Sequence, residues 1–220
     1  MILHIETSTR ICSVALSNQG DLIDFFESDS VEFIHGEALT TMIIELLKRN
    51  GLKTESLRAI STAIGPGSYT GLRIGLATAK GIVFGLGIPF VGISSLESLI
   101  EMAQLKYPSS AIAAAFDARR NEVFLRIQQE NNVLLVDCSQ EITDAFVPPV
   151  RPLLWVGDAN VKLRGLLQVE EQYFNDEITP SARGQVRLAF ERYKIGMVDD
   201  IHTIKPNYTK SFYTTSPSKS

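Results

Sequence analysis

The sequence has little cysteine and no concentration of positive charge, and these shortages exclude several classes of protein. Cys12 and Cys138 are the only cysteines in 220 residues, and they lie far apart, with no C-x-x-C motif or Cys/His cluster. Neither a disulfide framework nor a zinc site is predicted, and a reducing cytoplasm is the expected compartment. The net charge is −4, and no basic run is longer than the pair Arg119-Arg120. This charge pattern argues against an autonomous nucleic-acid binder.

Long apolar runs are also absent. No apolar stretch reaches the roughly 18 residues that a membrane-spanning helix needs. The chain opens with Ile2-Leu3-His4-Ile5-Glu6 rather than with the basic region and apolar run of a signal peptide. We therefore expect neither export nor a membrane partner.

Strand and helix patterns alternate along the chain, which predicts a layered α/β fold. The predicted elements of the first half are strands at Ile2–Glu6, Cys12–Leu16, Leu22–Phe26, Ala59–Ile64 and Pro89–Ile93, and helices at His35–Asn50, Leu72–Leu86 and Ser95–Leu105. Those of the second half are strands at Ile112–Phe116, Val123–Ile127, Val133–Asp137, Leu153–Val156 and near Tyr173, and helices at Val161–Leu167 and Pro180–Tyr193, the last with Thr179 as N-cap. We place the first half at residues 1–105, a smaller second half at 106–210 and a disordered tail at 211–220.

The opening pattern recurs in the second half. In each half an acidic residue, Glu6 or Asp117, ends a buried strand, and a returning strand follows. Aligning these two acids places Val14 against Leu125. We interpret the recurrence as an internal repeat.

A glycine-rich stretch, Gly65-Pro66-Gly67-Ser68-Tyr69-Thr70-Gly71, joins a predicted strand to the helix that follows it. Glycines permit close backbone approach and a helix N-terminus favours an anion, so a phosphate site is one interpretation. A tight turn without a ligand is the other, and the residues alone leave the two equal. The spacing matches neither the P-loop nor the G-x-G-x-x-G motif.

Several motifs carry a resemblance to a known family. Ile5-Glu6-Thr7-Ser8-Thr9, the run from Gly65 to Gly75, and Ala77-Thr78-Ala79-Lys80-Gly81 together closely resemble the TsaB (YeaZ) family. The segment from Asp117 to Phe124 and the closing Pro206-Asn207-Tyr208 are similar to two further motifs of that family. The resemblance extends from residue 1 to about residue 210 and is strongest up to Ser98.

The resemblance implies an α/β fold of the actin-like (actin/Hsp70/sugar-kinase) superfamily, with two ribonuclease-H-like halves that contain mixed sheets and flanking helices. It implies a non-catalytic scaffold or activator subunit of the complex that forms N6-threonylcarbamoyladenosine at position 37 of tRNAs reading ANN codons. The implied partners are a TsaD-like catalytic paralogue, a TsaE-like ATPase and, through the complex, tRNA, with a homodimer when the chain is alone. No cofactor is expected to bind this chain strongly, although ATP and Mg²⁺ can enter with the complex. The alternative is an independent nucleotide-binding ATPase or kinase of the same superfamily.

Candidate residues for a phosphate or nucleotide follow from the resemblance and the glycine-rich stretch. They are Glu6, Thr7, Gly65, Gly67, Thr70 and Arg73. Glu6 stands where relatives in the superfamily keep an Asp, and Thr7 where active relatives often place a glycine, so we favour a vestigial nucleotide site. Arg73 is expected to pair either with a phosphate or with a carboxylate such as that of Glu6.

Two helices are expected to dock the paralogue. Small residues recur at four-residue spacing on the second of them, which allows another helix to approach closely. Packing against the chain's own sheet is the other interpretation, and the resemblance favours the partner contact. The predicted interface residues are His35, Leu39, Met42, Ile43, Leu46, Gly71, Gly75, Ala77, Gly81 and Gly85.

Charged residues in the middle of the chain leave two interpretations open. Asp117, Arg119, Arg120 and Glu122 form a mixed-sign cluster. The cluster either contacts the partner or tRNA, or is a solvated surface.

Catalytic groups do not occur in a recognisable order. The histidines are His4, His35 and His202, and the residue four positions after His35 is Leu39. The two-histidine metal site that the resemblance assigns to the catalytic paralogue therefore cannot form here. No serine or threonine stands in a recognisable order with a histidine and an acid, which disfavours a peptidase. We expect neither catalytic residues nor a metal site.

Overall fold

The computed structural model describes residues 1–29, 35–143, 145–167 and 172–209. Within these residues the strands are β1 (Ile2–Glu6), β2 (Ile11–Asn18), β3 (Asp21–Asp29), β4 (Ala59–Gly65), β5 (Phe90–Ser94), β6 (Ala111–Asp117), β7 (Glu122–Gln129), β8 (Asn132–Glu141), β9 (Leu153–Val156) and β10 (Gln172–Asn175). The helices are α1 (His35–Arg49), α2 (Tyr69–Leu86), α3 (Ser95–Gln104), α4 (Asn160–Leu166) and α5 (Val186–Lys194). Short 3-10 turns lie at Thr54–Ser56 and Ala182–Gln185. The tail predicted to be disordered, residues 211–220, lies outside the described residues.

The strands form two mixed sheets of the same topology. Their orders are β3-β2-β1-β4-β5 and β8-β7-β6-β9-β10. In each sheet the first three strands are antiparallel and the last two run parallel to the first. The predicted α/β class with two similar halves is confirmed, and Glu6 and Asp117 each end the first strand of their sheet.

The register of the repeat differs from the predicted alignment by one residue. Val14 pairs with Ile5, the residue before Glu6, whereas the residue before Asp117, Phe116, pairs with Phe124. The predicted counterpart of Val14, Leu125, is therefore one position too far along. The reason is that the connection from β6 to β7 is one residue shorter than that from β1 to β2.

Helices α1 and α2 cover one face of the first sheet. Leu39, Ile43 and Leu46 of α1 are at most 4% exposed and lie in the core with strands β1 and β2. The prediction that these three residues contact a partner is wrong, because their apolar side chains are already buried within the chain. Met42 is half-buried and packs against the same core. The side chain of His35 lies outside the described residues.

Helix α2 begins at Tyr69 rather than at the predicted Leu72. The Ser68 hydroxyl caps it by accepting the N–H of Gly71 at 3.2 Å. This cap adds a turn to the helix and brings its N-terminus to the end of strand β1.

The last helix of each half packs on the other half. Helix α3 shares a core with Ile112, Ala114 and Phe116 of β6, while Ala189 of α5 packs against Val91 and Ile93 of β5. Residues 181–194 therefore belong structurally to the first sheet, and the predicted continuous second half at 106–210 needs correction.

The helix predicted at Pro180–Tyr193 begins later than expected. Ser181, and not Thr179, provides the cap by accepting the N–H of Arg183 at 3.1 Å, and a 3-10 turn precedes α5. Ion pairs join α5 to α3, namely Arg187 with Glu101 at 2.5 Å and Arg192 with Glu97 at 2.7 Å.

The helices in the described part of the chain are too short or too polar to cross a bilayer.

Candidate functional site

A cleft of about 980 Å³ lies between the two halves. One wall consists of residues 8–10, the start of α2 and residues 207–208, and the other consists of residues 116–120 with Phe124 and Asp158. We call the stretch Gly65–Gly71 the glycine loop. Of the predicted nucleotide-binding residues, Gly67 and Thr70 line this cleft, whereas Glu6, Thr7, Gly65 and Arg73 do not.

The glycines of the loop lie against the chain's own backbone. A methyl group at Gly67 would lie 2.3 Å from the carbonyl oxygen of Ser8, and one at Gly65 would lie 2.6 Å from that of Asn207. The N–H of Ser68 donates to the same Ser8 oxygen at 2.6 Å. The close approach that suggested a phosphate is therefore made by residues of this chain, and the interpretation as a tight turn accounts for Gly65 and Gly67.

Gly71 and Gly75 of α2 serve the same purpose. Methyl groups at these positions would lie 2.0 Å from the Thr7 carbonyl oxygen and 2.3 Å from the Thr7 hydroxyl, respectively. The Thr7 hydroxyl donates to the carbonyl oxygen of Gly71 at 2.9 Å. The prediction of a partner contact at Gly71 and Gly75 is wrong, because α2 uses both to lie directly on the end of β1.

Glu6 is fully buried and is held by the protein. Its carboxylate accepts the backbone N–H of Ser8 at 2.8 Å and the side-chain amide of Gln185 at 3.4 Å. Burial raises the pKa of Glu6, and the hydrogen bonds from Ser8 and Gln185 oppose that rise. The predicted ligand roles of Glu6 and Thr7 are wrong for this structure, since both side chains are 0% exposed and engaged internally.

A buried hydrogen-bond network continues from Gln185 to His4. The hydroxyl of Ser61 donates to Gln185 Oε1 at 2.7 Å, so it accepts from His4 Nδ1 at 2.7 Å, and His4 Nε2 accepts from Ser17 at 2.7 Å. Burial lowers the pKa of His4 to about 3, which keeps the ring neutral. This network joins β1 to the C-terminal 3-10 turn and has a structural role.

Arg73 pairs with the closing motif of the chain. Its Nε donates to the Tyr208 hydroxyl at 3.0 Å, and its guanidinium lies 3.9 Å from the centre of the Tyr69 ring. The Tyr69 and Tyr208 rings stack at 5.1 Å, and the N–H of Asn207 donates to the carbonyl oxygen of Ile64 at 2.6 Å. Neither predicted partner of Arg73, a phosphate or Glu6, holds it. The sequence identified both motifs but not their contact, which joins residues 135 positions apart.

The opposite wall of the cleft is charged. Lys162 forms an ion pair with Asp117, whose carboxylate also accepts the N–H of Arg119 at 2.6 Å. Asp158 accepts the N–H of Asp117 at 2.9 Å, and burial raises the pKa of Asp158. Arg120 is exposed, as is Arg119. Asp117 thus differs from Glu6 in being half-exposed and ion-paired.

The outer face of α2 is the second candidate site. Ala77, Gly81 and Gly85 are exposed, and added methyl groups at the two glycines would meet no atom within 4 Å. Phe84, on the same face, is 76% exposed, and Ile44 of α1 is 59% exposed. The predicted stripe of small residues therefore consists of an inner pair, Gly71 and Gly75, and an outer set that remains accessible. Sequence reasoning missed Phe84, although an aromatic residue on the small-residue face of a helix is itself a signal.

Within the described residues, no three His, Cys, Asp or Glu side chains converge as metal ligands.

Comparisons with known proteins agree with this geometry. Residues 31–175 match the family model described as TsaD: tRNA N6-adenosine threonylcarbamoyltransferase. The tRNA threonylcarbamoyladenosine biosynthesis protein TsaB of Escherichia coli (strain K12) is 37% identical over 123 residues, which are 56% of this chain and 52% of that protein. The TsaB of Bacillus subtilis (strain 168) is 34% identical over 61% of this chain and 57% of its own length. The chain thus spans little more than half the length of the curated relatives it matches.

Solved structures match over nearly the whole chain. YeaZ from Pseudomonas aeruginosa superposes with a TM-score of 0.83 at 25% identity, covering 94% of this chain and 98% of that one. A second structure, described as a protein with similarity to the peptidase YeaZ from the same organism, gives a TM-score of 0.85 at 24% identity, with 95% and 99% covered. The second match supports the fold alone.

Proposed function

We propose a function from one premise: this chain belongs to the family described as TsaD, tRNA N6-adenosine threonylcarbamoyltransferase, and to its TsaB (YeaZ) branch. In our proposal the chain is a non-catalytic subunit in the formation of N6-threonylcarbamoyladenosine at position 37 of tRNA. It docks a TsaD-like catalytic paralogue through the outer face of α2 and thereby holds that partner in its active arrangement. A TsaE-like ATPase and tRNA then join the pair, and ATP and Mg²⁺ enter with these partners.

The observation that carries the proposal is the outer face of α2. An aromatic side chain that is 76% exposed stands between Gly81 and Gly85, at which there is open space. An exposed aromatic beside small residues suits close helix packing, because the ring fits into a gap on the partner while the glycines accept the partner's own side chains. Intrinsic helix propensity disfavours glycine at such positions by about 1 kcal/mol each, so a contact explains them better than helix stability does.

The internal engagement of Glu6 supports the non-catalytic part of the proposal. A catalytic carboxylate must reach the substrate or a metal, and Glu6 reaches only Ser8 and Gln185. The alternative of an independent ATPase or kinase depends on that carboxylate and on an open glycine loop, and both are occupied by the chain's own residues.

Gly81→Leu tests the docking face. The substitution adds a bulky side chain where no atom of this chain lies within 4 Å, so the fold accepts it, and loss of a helical glycine raises the free energy of unfolding by about 1 kcal/mol. We expect affinity for the catalytic paralogue to fall by about 100-fold, as for a central interface residue, while the melting temperature rises by about 2–4 °C. Calorimetric titration of the two purified proteins and incorporation of the threonylcarbamoyl group into tRNA measure the effect.

The matched control is Gly165→Leu in α4. Gly165 is also an exposed helical glycine with no atom within 4 Å of an added methyl group, but it lies on the second half. It should gain similar stability and keep the paralogue's affinity. Equal affinity of the Gly81→Leu and wild-type chains would refute docking through this face. Modification of tRNA at full rate without the chain would refute the subunit role itself.

In the absence of the paralogue we propose that the same face pairs two copies of the chain by two-fold symmetry. Sedimentation of the wild-type and Gly81→Leu chains should then give a dimer and a monomer, respectively.

A further inference from the structure

We propose that the mouth of the cleft between the two halves binds an unpaired segment of RNA, with a backbone phosphate on Arg119 and Arg120. The inference rests on the proposed function in one respect, since tRNA is the RNA that the complex would offer. It goes beyond that function by assigning RNA contacts to residues of this chain.

Arg119 and Arg120 are held at the cleft without partners. Both lie in the turn between β6 and β7, both are exposed, and both line the cleft. Neither side chain makes a hydrogen bond or ion pair with any residue in the described part of the chain. Arg10, by contrast, also lines the cleft but pairs with Asp29 at 2.9 Å. Two guanidinium groups are therefore available to an anion.

The backbone of this turn is unfavourable for arginine. Arg119 has φ of 68° and Arg120 has φ of 51°, whereas such consecutive positive angles in a hairpin turn favour Asn-Gly. Left-handed backbone at a non-glycine residue costs about 1–2 kcal/mol. The turn thus keeps two arginines where a more stable pair is available, which is understandable if the guanidinium groups contact a ligand.

The acidic groups of the cleft do not neutralise these arginines. Asp117 is paired with Lys162. Asp158 is buried and accepts the N–H of Asp117. The mouth therefore carries uncompensated positive charge although the whole chain has a net charge of −4. Guanidinium groups bind phosphate oxygens in pairs, which matches the anion of a nucleic-acid backbone.

Aromatic rings lie in the same cleft as the arginines. Tyr69 and Tyr208 form a stacked pair on one wall, and Phe124 lies on the other. Arginine with aromatic side chains is the combination that binds single-stranded RNA, in which unpaired bases stack on rings and phosphates meet guanidinium groups. The volume of about 980 Å³ is sufficient for a nucleotide with its base.

A free nucleoside triphosphate fits the cleft less well than RNA. The backbone cradle that a triphosphate would need is filled, since Ser8 and Asn207 lie against Gly67 and Gly65. The available cations stand instead at the opposite wall, where they can meet one bridging phosphate of a chain that passes through the mouth. We therefore assign the cleft to RNA and treat a free nucleotide as the competing ligand.

The test is the double substitution Arg119→Asn with Arg120→Gly. It removes both guanidinium groups and introduces the residues that the turn favours, so the melting temperature should equal or exceed that of the wild type. Binding of an unmodified tRNA transcript, and of its isolated anticodon stem-loop, should weaken by about tenfold or more. The slope of log affinity against log salt should flatten by about 1.4, the value for two lost contacts to a single strand. Fluorescence anisotropy measures both, with the chain alone at low salt and with the chain bound to its paralogue.

The matched control is Arg58→Gln with Lys194→Gln, which removes two exposed charges outside the cleft. Unchanged RNA binding by the turn variant, or an equal loss in the control, overturns the inference. ATP binding that depends on the two arginines and is not matched by the stem-loop would make the ligand a free nucleotide and also overturn it. Failure of the wild-type chain to bind the paralogue would count against the proposed function instead, and RNA binding by the chain alone would still decide the inference.

Discussion

The two halves of the molecule share one strand order but cover their sheets differently. In the first half α1 and α2 contain 15 and 18 residues, whereas α4, which follows β9 as α2 follows β4, contains seven. No helix corresponds to α1 in the described residues between β8 and β9. The extra helical surface of the first half provides the outer face of α2, while the second half contributes the charged turn at the cleft. One topology thus supports two different surfaces.

The same comparison applies to the acid at the end of each first strand. Glu6 is 0% exposed and lies under α2, whereas the side chain of Asp117 is 47% exposed and pairs with Lys162. Helix α2 lies directly on β1 through Gly71 and Gly75, which leaves no access to Glu6. The difference in helix packing therefore decides whether the acid is buried or available at the cleft.

The largest expected effect tests whether the two halves depend equally on close backbone contacts. Gly67 follows β4 and Gly157 follows β9, and added methyl groups would lie 2.3 Å from the Ser8 carbonyl oxygen and 2.2 Å from that of Ala115. We expect Gly67→Ala and Gly157→Ala each to lower the free energy of unfolding by about 3 kcal/mol through overpacking, with a contribution at Gly157 from its φ of +111°. Urea unfolding measures both.

Gly81→Ala is the control for these two variants and should raise the free energy of unfolding by about 1 kcal/mol. Loss of stability in one half only would show that the repeated topology does not imply repeated packing.

The next effect separates the two acids by pH. The raised pKa of Glu6 means that its contribution to stability is fully present below the unfolded value of 4.5 and is lost as the pH rises through the folded value. Glu6→Gln should therefore gain on the wild type above pH 4.5, at up to about 1.4 kcal/mol per pH unit until the folded pKa is passed. Urea unfolding between pH 4.5 and 8 measures this difference.

Two observations keep the pH experiment interpretable. His4 acts in the opposite direction, because its lowered pKa of about 3 gives stability that is present above its unfolded value of 6.5 and lost as the pH falls below it. That contribution is common to the wild-type and Glu6→Gln chains and cancels in their difference. Asp117→Asn controls for loss of a carboxylate that is not buried, and an equal rise in both variants would contradict the assignment to burial.

The sequence predicted the elements and the fold class well, because these depend on local periodicity and turn residues. It predicted individual site residues poorly. Leu39 and Gly71 belong to apolar or small-residue stripes that serve a core and an interface equally well, and only the packing of α1 and α2 distinguishes the two. The contact of Arg73 with Tyr208 could not be predicted because it joins distant segments. The crossing of α5 to the first sheet was missed for the same reason.

The smallest expected effect concerns the exposed acid itself. Asp117 accepts the N–H of Arg119 and pairs with Lys162, so it holds the turn that presents the two arginines. Since the pair is partly exposed, we expect Asp117→Asn to lower the free energy of unfolding by about 0.5–1 kcal/mol, with a coupling to Lys162→Met of similar size that declines in high salt. A double-mutant cycle by urea unfolding measures the coupling. A coupling of several kcal/mol would place Asp117 with Glu6 among the structural acids and remove the contrast between the halves, whereas a small one leaves its carboxylate with the task of ordering the turn.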